Sequence, residues 1–152
     1  MHSRLRPFVA TDVEFVADNM READRAELRA GGFSPSAGLR MSVDSSTHLI
    51  TGLGTDGNPA FILGAQKRPD SSAAVIWMLG TDAIDRESKL FLLNSRPTLE
   101  ALWELLDVST LYNFVWKGNA VHIKWLRWLG FNLLPRDDGP NKDFIFFYKH
   151  RE

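Results

Sequence analysis

The feature that most constrains this fold is a run of seven consecutive apolar residues, Ala73 to Leu79. Successive side chains of a β-strand point to opposite faces of the sheet, so a strand formed by this run is apolar on both faces. Such a strand is stable inside a sheet that is covered on both sides. The run is far shorter than the ~20 apolar residues of a membrane-spanning helix. We therefore expect a layered domain with this strand at its centre.

Length, composition and charge exclude several classes of protein. The chain has 152 residues, 44% hydrophobic and 24% charged, which predicts one domain over residues 1–152. Eighteen Lys and Arg balance nineteen Asp and Glu, so the basic footprint of a nucleic-acid binder is missing. The absence of cysteine excludes thiolate chemistry and disulfides. Because the N-terminus lacks an apolar signal segment, we expect a cytoplasmic protein that binds neither nucleic acid nor membranes.

The first half of the sequence predicts a strand, two helices and a hairpin. After a strand over Leu5 to Val9, Thr11 and Glu14 have the spacing of a capping box, which starts a helix that the next glycines end. Ser34, followed by proline, caps a second helix, which we expect to be short. The β-like runs at 47–53 and 59–66 flank an Asp-Gly turn and are expected to pair antiparallel.

The second half predicts two more helices on the same sheet. Ser95, Pro97 and Thr98 are expected to start the third helix, since proline is tolerated in the first helical turn. Asn119 caps a last helix, which Gly130 closes. Strands are expected at 73–79 and 111–116, followed by a terminal hairpin of 131–134 with 144–148. This order predicts an α+β domain with helices on both faces of a mixed sheet.

The order of elements resembles the GNAT (GCN5-related N-acetyltransferase) fold over essentially the whole chain. The segment Asn119-Ala-Val-His-Ile-Lys-Trp-Leu-Arg-Trp-Leu-Gly130-Phe131 sharpens the resemblance, because GNAT proteins often carry Asn, a helix and Gly-Phe at this spacing. The resemblance implies a mixed, mostly antiparallel sheet of six to seven strands with about four helices on both faces. It further implies acetyl-CoA as cofactor and an amine as acceptor substrate.

The same Trp-rich segment also resembles small internal virion or virion-assembly proteins of short-tailed bacteriophages. This second resemblance implies a protein that retains the fold, has lost the chemistry and acts through contacts with a virion or host protein. A sensor that binds a coenzyme without turnover is a third interpretation. The sequence leaves homodimerisation open.

The GNAT resemblance implies a cofactor cleft beside the central strand. Its walls would be the end of that strand, the start of the third helix and the opening of the last helix. The implied cofactor contacts are Met78, Leu79, Gly80, Ser95, Arg96, Thr98 and Asn119. The chain departs from the family pattern here, because the Arg-x-x-Gly-x-Gly phosphate loop is absent and Pro97 cannot donate an N–H. Asn is also a common helix cap, so Asn119 has a purely structural alternative.

The usual acid and base of the family are both missing from their expected positions. Leu126 stands where many GNAT enzymes have a proton-donating tyrosine, and the central strand carries no Glu. His122 and Asp82 are weak catalytic candidates. A histidine without a chemical role and a solvated loop aspartate are the simpler interpretations of these two residues. No spacing of His, Asp or Glu indicates a metal site.

Overall fold

A seven-stranded sheet organises the residues that the computed structural model describes, 4–136 and 138–151. The strands are β1 (Leu5–Pro7), β2 (His48–Leu53), β3 (Pro59–Lys67), β4 (Ala73–Gly80), β5 (Thr110–Trp116), β6 (Asn132–Leu134) and β7 (Phe144–His150). Their order across the sheet is β1-β2-β3-β4-β5-β7-β6. All neighbours are antiparallel except β4 and β5. The predicted α+β class and mixed, mostly antiparallel sheet are confirmed.

The described residues form six helices, more than the four expected. They are α1 (Thr11–Asn19), α2 (Glu22–Ala30), α3 (Pro35–Ser45), α4 (Ala83–Arg86), α5 (Ser88–Leu106) and α6 (Ala120–Trp128). The number rises because the first predicted helix is broken at Met20 and Arg21, and because the single turn α4 precedes α5. Met20 leaves helical geometry, with ψ 135°, and forms an isolated bridge to Thr81. No helix of the described residues is long and apolar enough to cross a membrane.

The central strand is buried from both sides, as its sequence predicts. Ala74 and Ile76 of β4 belong to a core cluster with α5 and α6. Leu79 belongs to a separate cluster with α1 and α3. Helices therefore cover β4 on both faces, and the strand anchors two cores that the sheet keeps apart.

Local signals at several helix and turn boundaries are confirmed. The Ser34 hydroxyl accepts from the Ala37 N–H at 3.3 Å, although α3 extends over eleven residues and is not short. Gly57 lies in the β2–β3 turn with φ +84°. The Asn119 side chain caps α6, and Gly130 follows its end with φ +95°, a conformation that favours glycine.

The first helix begins at Thr11 as predicted, but without the predicted capping box: its N-cap makes no side-chain hydrogen bond, and the Asp12 carboxylate accepts from the Val9 N–H instead. The predicted start of the third helix is wrong. The third helix begins at Ser88, seven residues before Ser95, so Pro97 lies in its interior. Proline removes the hydrogen bond to the carbonyl four residues back, at Leu93, where the side chain is 61% exposed. Exposure to water there makes the lost hydrogen bond tolerable.

Candidate functional site

The candidate site is a gap in the sheet between β4 and β5. The two strands pair at three positions, from Ala73 with Thr110 to Val75 with Tyr112. β4 continues to Gly80 and β5 continues to Trp116, but the two strands do not pair with each other beyond these three positions. Backbone groups that would have paired across this gap need other partners, because an unpaired buried N–H or C=O is costly.

Asn113 occupies the position of the first missing rung. Its Nδ2 donates to the Ile76 carbonyl at 2.6 Å, and its Oδ1 accepts from the Phe114 N–H at 2.8 Å. In a continued parallel ladder these two backbone groups would bond to each other. The Asn113 amide satisfies both of them and so stabilises the separated strands.

Helix α2 satisfies the far end of the gap with two carboxylates. Asp24 Oδ2 accepts from the Gly80 N–H of β4 at 2.8 Å. Glu27 Oε1 accepts from the Trp116 N–H of β5 at 3.3 Å. Because the two carboxylates are three residues apart, they lie on one face of the helix. Helix α2 therefore bridges the two strands where they no longer pair.

A buried ion pair holds the start of α2 against β4. The Arg21 N–H donates to the Gly80 carbonyl at 2.9 Å, and its Nε donates to Asp24 Oδ2 at 3.0 Å. Arg21 Nη1 also lies 3.4 Å from Asp85. Burial raises the pKa of Asp24, while the Arg21 charge and the Gly80 N–H act against that rise. Gly80 is thus fully engaged by α2 and has no backbone group left for a ligand.

Met78 presents the free backbone groups of the gap. Along β4, the backbone N–H and C=O groups of successive residues point alternately toward β3 and toward β5. Those of Gly80 bond to Arg21 and Asp24, and the N–H of Thr81 bonds to Ala60 of β3, so even-numbered residues of β4 point toward β5. Leu79 accordingly bonds to β3, and the N–H and C=O of Met78 face the gap. No strand pair reaches Met78 from β5 within the described residues. One donor and one acceptor are therefore open to a ligand with amide groups.

Glu27 is a titratable group of the gap whose pKa is shifted to near neutrality. Burial raises its pKa to about 7, against the opposing hydrogen bond from Asn119 Nδ2 at 3.1 Å. Both recorded hydrogen bonds of the carboxylate end on Oε1. Both polar atoms of the Asn119 side chain are hydrogen-bonded, because Nδ2 donates to Glu27 and Oδ1 accepts from the His122 N–H, which caps α6. Asn119 is therefore a helix cap that also positions Glu27.

His122 is buried beside the gap and lacks a partner for one ring nitrogen. Its exposed fraction is 8%, and Nδ1 has no hydrogen bond within the described residues. Burial, reinforced by the nearby Arg21 charge, lowers its pKa to about 3. The imidazole is therefore neutral at pH 7. The orphaned nitrogen indicates a place for a ligand hydrogen bond.

A cavity of about 400 Å³, including its open part, lies at the α5–α6 side of the gap. Arg21, Met78 and His122 border it, together with Ser88 at the start of α5. The first N–H groups of a helix lack partners inside the helix and favour anions. This cavity joins a polar helix start to the open edge of β4.

The structure separates the other predicted site residues from this cleft. Ser95, Arg96 and Thr98 lie inside α5, where the Ser95 hydroxyl bonds to Phe91 O and Trp125 Nε1. Arg96 donates to Trp128 O at 2.7 Å and stacks over that ring. None of the three is at a helix start, and their role in cofactor binding stays a prediction.

Asp82 also lies outside the cleft. It is exposed at the start of α4 and borders a different cavity, with Phe15, Asp56 and Arg86. The described residues contain no group of three or more His, Asp or Glu side chains that could hold a metal ion.

Sequence reasoning missed Arg21, Glu27 and Asn113. One signal was available for the first two, because Arg21, Asp24 and Glu27 recur every third residue and place charges of both signs along one helical stripe. Buried charges occur mainly in such pairs. Asn113 gave a weaker signal, as a polar residue within an otherwise apolar strand.

No protein-family model matches the chain, and no curated protein sequence matches it. Solved structures do match. A GNAT superfamily phosphinothricin acetyltransferase from Sinorhizobium meliloti, in complex with AcCoA, is 15% identical, with 99% of this chain and 89% of that chain covered and a TM-score of 0.69. An acetyltransferase from Agrobacterium tumefaciens is also 15% identical, with 99% and 94% covered and a TM-score of 0.70.

The ribosomal-protein-S18-alanine N-acetyltransferase from Escherichia coli is 19% identical, with 98% of this chain and 94% of that chain covered and a TM-score of 0.62. Nothing in these comparisons supports the likeness to phage virion proteins. Identities this low establish the shared fold and leave the chemistry open. The chain has the fold of the GNAT acetyltransferases.

Proposed function

We propose that the protein is an N-acyltransferase that takes an acyl group from acetyl-CoA or a related acyl-CoA and transfers it to an amine. The observation that carries the proposal is the gap between β4 and β5, in which the backbone of Met78 on β4 is open and Glu27 of α2 accepts a hydrogen bond from the Trp116 N–H of β5. The solved acetyltransferases of the same fold support this choice of reaction.

The residues around the gap fit the cofactor's chemistry. The N–H and C=O of Met78 can pair with amide groups of a pantetheine arm, as a neighbouring strand would. The start of α5 at Ser88 offers partly positive N–H groups to a pyrophosphate, and Lys89 adds a cation in the same turn. The neutral His122 offers one further hydrogen bond. The cofactor supplies an acyl group activated as a thioester.

Glu27 is proposed as the general base. An amine must lose a proton to become an acyl amide, and a carboxylate with a pKa about 7 both accepts protons at neutral pH and exists partly ionised there. Asn119 and the Trp116 N–H hold Oε1 in place. Oε2 makes no hydrogen bond within the described residues, so it is the oxygen proposed to take the proton.

His122 is a poor choice for that role. With a pKa about 3, its imidazole does not retain a proton at neutral pH. We assign it a positioning role through Nδ1. Leu126 is buried and has no proton to give, so water is the proposed proton source for the departing thiolate.

Calorimetry with acetyl-CoA, followed by turnover against a panel of amines, tests the proposal. We expect wild-type protein to bind acetyl-CoA with a micromolar constant and to acylate at least one amine. Glu27→Gln should bind the cofactor with unchanged affinity and lose turnover by about 10²–10⁴-fold. Glu22→Gln, an exposed glutamate of the same helix, is the matched control and should leave both unchanged. Absence of binding at millimolar acetyl-CoA would contradict the proposal, and binding without turnover would favour the sensor interpretation.

The pH profile gives a second, independent test of the base. Turnover should rise as pH increases through about 7, because Glu27 acts in its ionised form. Residual turnover of Glu27→Gln should lose this rise. An unchanged profile in Glu27→Gln would show that another group limits the rate.

A further inference from the structure

A second cavity beside the gap is apolar and has a volume of about 860 Å³, including the part open to solvent. It lies between α5 and α6 on one side and β2, β3 and β4 on the other. Its walls include Phe61, Leu63, Ile76, Leu90, Leu99 and Leu102. Protein interiors are normally close-packed, and apolar voids take up apolar ligands more readily than water. A cavity of this character indicates an apolar ligand.

This apolar cavity adjoins the proposed cofactor cleft. Four residues, Met78, Ile84, Phe91 and Trp125, border both spaces. Met78 turns its backbone groups to the gap and its side chain to the apolar cavity, because side chains of a strand stand perpendicular to its hydrogen-bonding plane. Methionine is unbranched and adapts to irregular ligands. A chain attached to a group at the Met78 backbone would therefore meet the cavity directly.

Three polar residues of the cavity wall, Glu87, Asn94 and Ser95, already have hydrogen-bond partners. Asn94 Nδ2 donates to Leu90 O at 3.0 Å, and the Ser95 hydroxyl bonds to α5 and to Trp125. The Glu87 carboxylate accepts from the N–H and hydroxyl of Thr55. With these groups engaged, the wall has little need of polar contacts from a ligand.

We propose that this cavity binds the hydrocarbon chain of the acyl donor, so that the preferred donor is a medium-chain acyl-CoA rather than acetyl-CoA. The inference rests on the proposed acyltransferase function and names the class of its acyl group. The bond that breaks is still the thioester C–S bond, and the bond that forms is still the amide C–N bond. The cavity changes only which acyl chain is held.

Affinities of octanoyl-CoA and acetyl-CoA, measured by calorimetry on the whole chain, test the inference. Each methylene moved from water into the cavity strengthens binding by about fourfold, and ordering of the chain offsets part of this gain. We expect octanoyl-CoA to bind at least ~10-fold more tightly than acetyl-CoA. Equal affinities for the two donors would overturn the inference.

Filling the cavity should remove this preference. Leu102→Phe places extra volume in the cavity and should bring the two affinities to within about twofold, mainly by weakening octanoyl-CoA binding. Leu105→Phe, on the exposed side of the same helix, is the control and should retain the preference. Leu90→Trp, with exposed Leu93→Trp as its control, repeats the test if Leu102→Phe does not fold. A preference that survives in both cavity variants would also overturn the inference.

A third ligand, octanoate, separates failure of this inference from failure of the proposed function. Binding of acetyl-CoA without any preference for octanoyl-CoA refutes the acyl pocket and leaves the transferase. Binding of octanoate alone, with no affinity for either CoA ester, refutes the transferase and the acyl-donor assignment together, although the cavity is then an apolar site. No binding of any of the three refutes both proposals.

Discussion

The two sides of the gap between β4 and β5 are packed by different chemistry. On the α2 side, Arg21, Asp24 and Glu27 fill the opening with charged groups that are hydrogen-bonded to each other or to the strand ends. On the α5–α6 side, apolar side chains leave an open cavity, and His122 Nδ1 has no hydrogen-bond partner among the described residues. The α2 side is filled by polar groups that bond to the strand ends, with Glu27 Oε2 left over, whereas the α5–α6 side contains a cavity.

The residues that keep the two strands apart therefore differ from those that surround the space for a ligand. Separated strands leave backbone groups exposed to an apolar interior, and the α2 carboxylates and Asn113 satisfy them. Such satisfied groups are rigid because each depends on a specific partner. The apolar side can accept a ligand because its contacts are nondirectional. The comparison predicts that substitutions of Arg21 and Asp24 on the α2 side destabilise the fold, whereas those on the α5–α6 side mainly alter binding.

The largest effect is expected for Asp24→Ala. The substitution leaves Arg21 buried at 5% exposure without its main counter-charge and leaves the Gly80 N–H unpaired. We expect the free energy of unfolding to fall by about 3–5 kcal/mol. Denaturant unfolding measures this, with Glu22→Ala as control, since its exposed pair with Arg29 is worth about 1 kcal/mol or less. Similar losses in both variants would contradict the assignment.

A matched pair of leucine truncations compares the packing of the two faces directly. Replacing a buried leucine by alanine lowers the free energy of unfolding by ~2–5 kcal/mol. We expect Leu39→Ala, at a fully buried site against α1, near the upper end of this range. We expect Leu102→Ala, at a site that lines the apolar cavity, near the lower end. A side chain beside an existing cavity has fewer contacts to lose. Chemical unfolding of both variants measures the difference. Equal costs would mean that the α5–α6 face is as well packed as the other.

Asn113→Val tests what keeps the strands apart. The Ile76 carbonyl and the Phe114 N–H lose their partner, and we expect a loss of about 1–3 kcal/mol together with faster amide exchange at Phe114. Asn132→Val, on the exposed edge strand, serves as control. Increased protection of the Phe114 amide would instead show that the strands had closed, and that Asn113 alone held them open.

The pH dependence of stability should carry the signature of His122. Its folded-state pKa of about 3 lies below the ordinary value of 6.5, so the unfolded chain binds the proton first. Stability is therefore present above pH 6.5 and is lost as the pH falls, by about 1 kcal/mol between pH 7 and 5.5. His122→Gln should lose this dependence, and exposed His150→Gln should retain it. Identical acid limbs in wild type and His122→Gln would contradict the burial of a neutral imidazole.

The contribution of Glu27 to the pH dependence of stability should have the opposite sign to that of His122. Its pKa is raised from 4.5 to about 7 on folding, so the folded chain binds the proton more tightly. Its contribution is present below pH 4.5 and is lost as the pH rises through about 7. Unfolding of Glu27→Gln should therefore lack a decrease in stability that wild type shows over this interval. A wild-type contribution that grows with pH would refute the raised pKa.

Sequence reasoning succeeded where the signal was local. The hairpin around Gly57, the Ser34 and Asn119 caps and the double-sided burial of β4 each depend on neighbouring residues and were predicted correctly. It failed where tertiary contacts override propensity. Pro97 indicates a helix start in isolation, yet the strand end at Gly80 and the single turn of α4 begin the helix earlier. The break at Met20 likewise follows from the bonds of Arg21 to β4.

The candidate site was predictable only in part for the same reason. His122, Asn119 and Met78 were predicted as site residues and lie around the gap, but the contacts of Asn119 and His122 follow from burial that a sequence does not display. Glu27 lies 89 residues before Trp116 in the chain, and no local pattern links them. Its raised pKa arises entirely from the surroundings that folding builds.

The amino-acid sequence by itself determined the order of the strands and which faces of the strands and helices are apolar, because periodicity depends on residues within a few positions of each other. Only the tertiary structure decided that β4 and β5 separate after three pairs, that α2 holds the opening with carboxylates and that a cavity lies on the other side. These features depend on contacts between distant segments, whose alignment is set by the packing of the whole sheet.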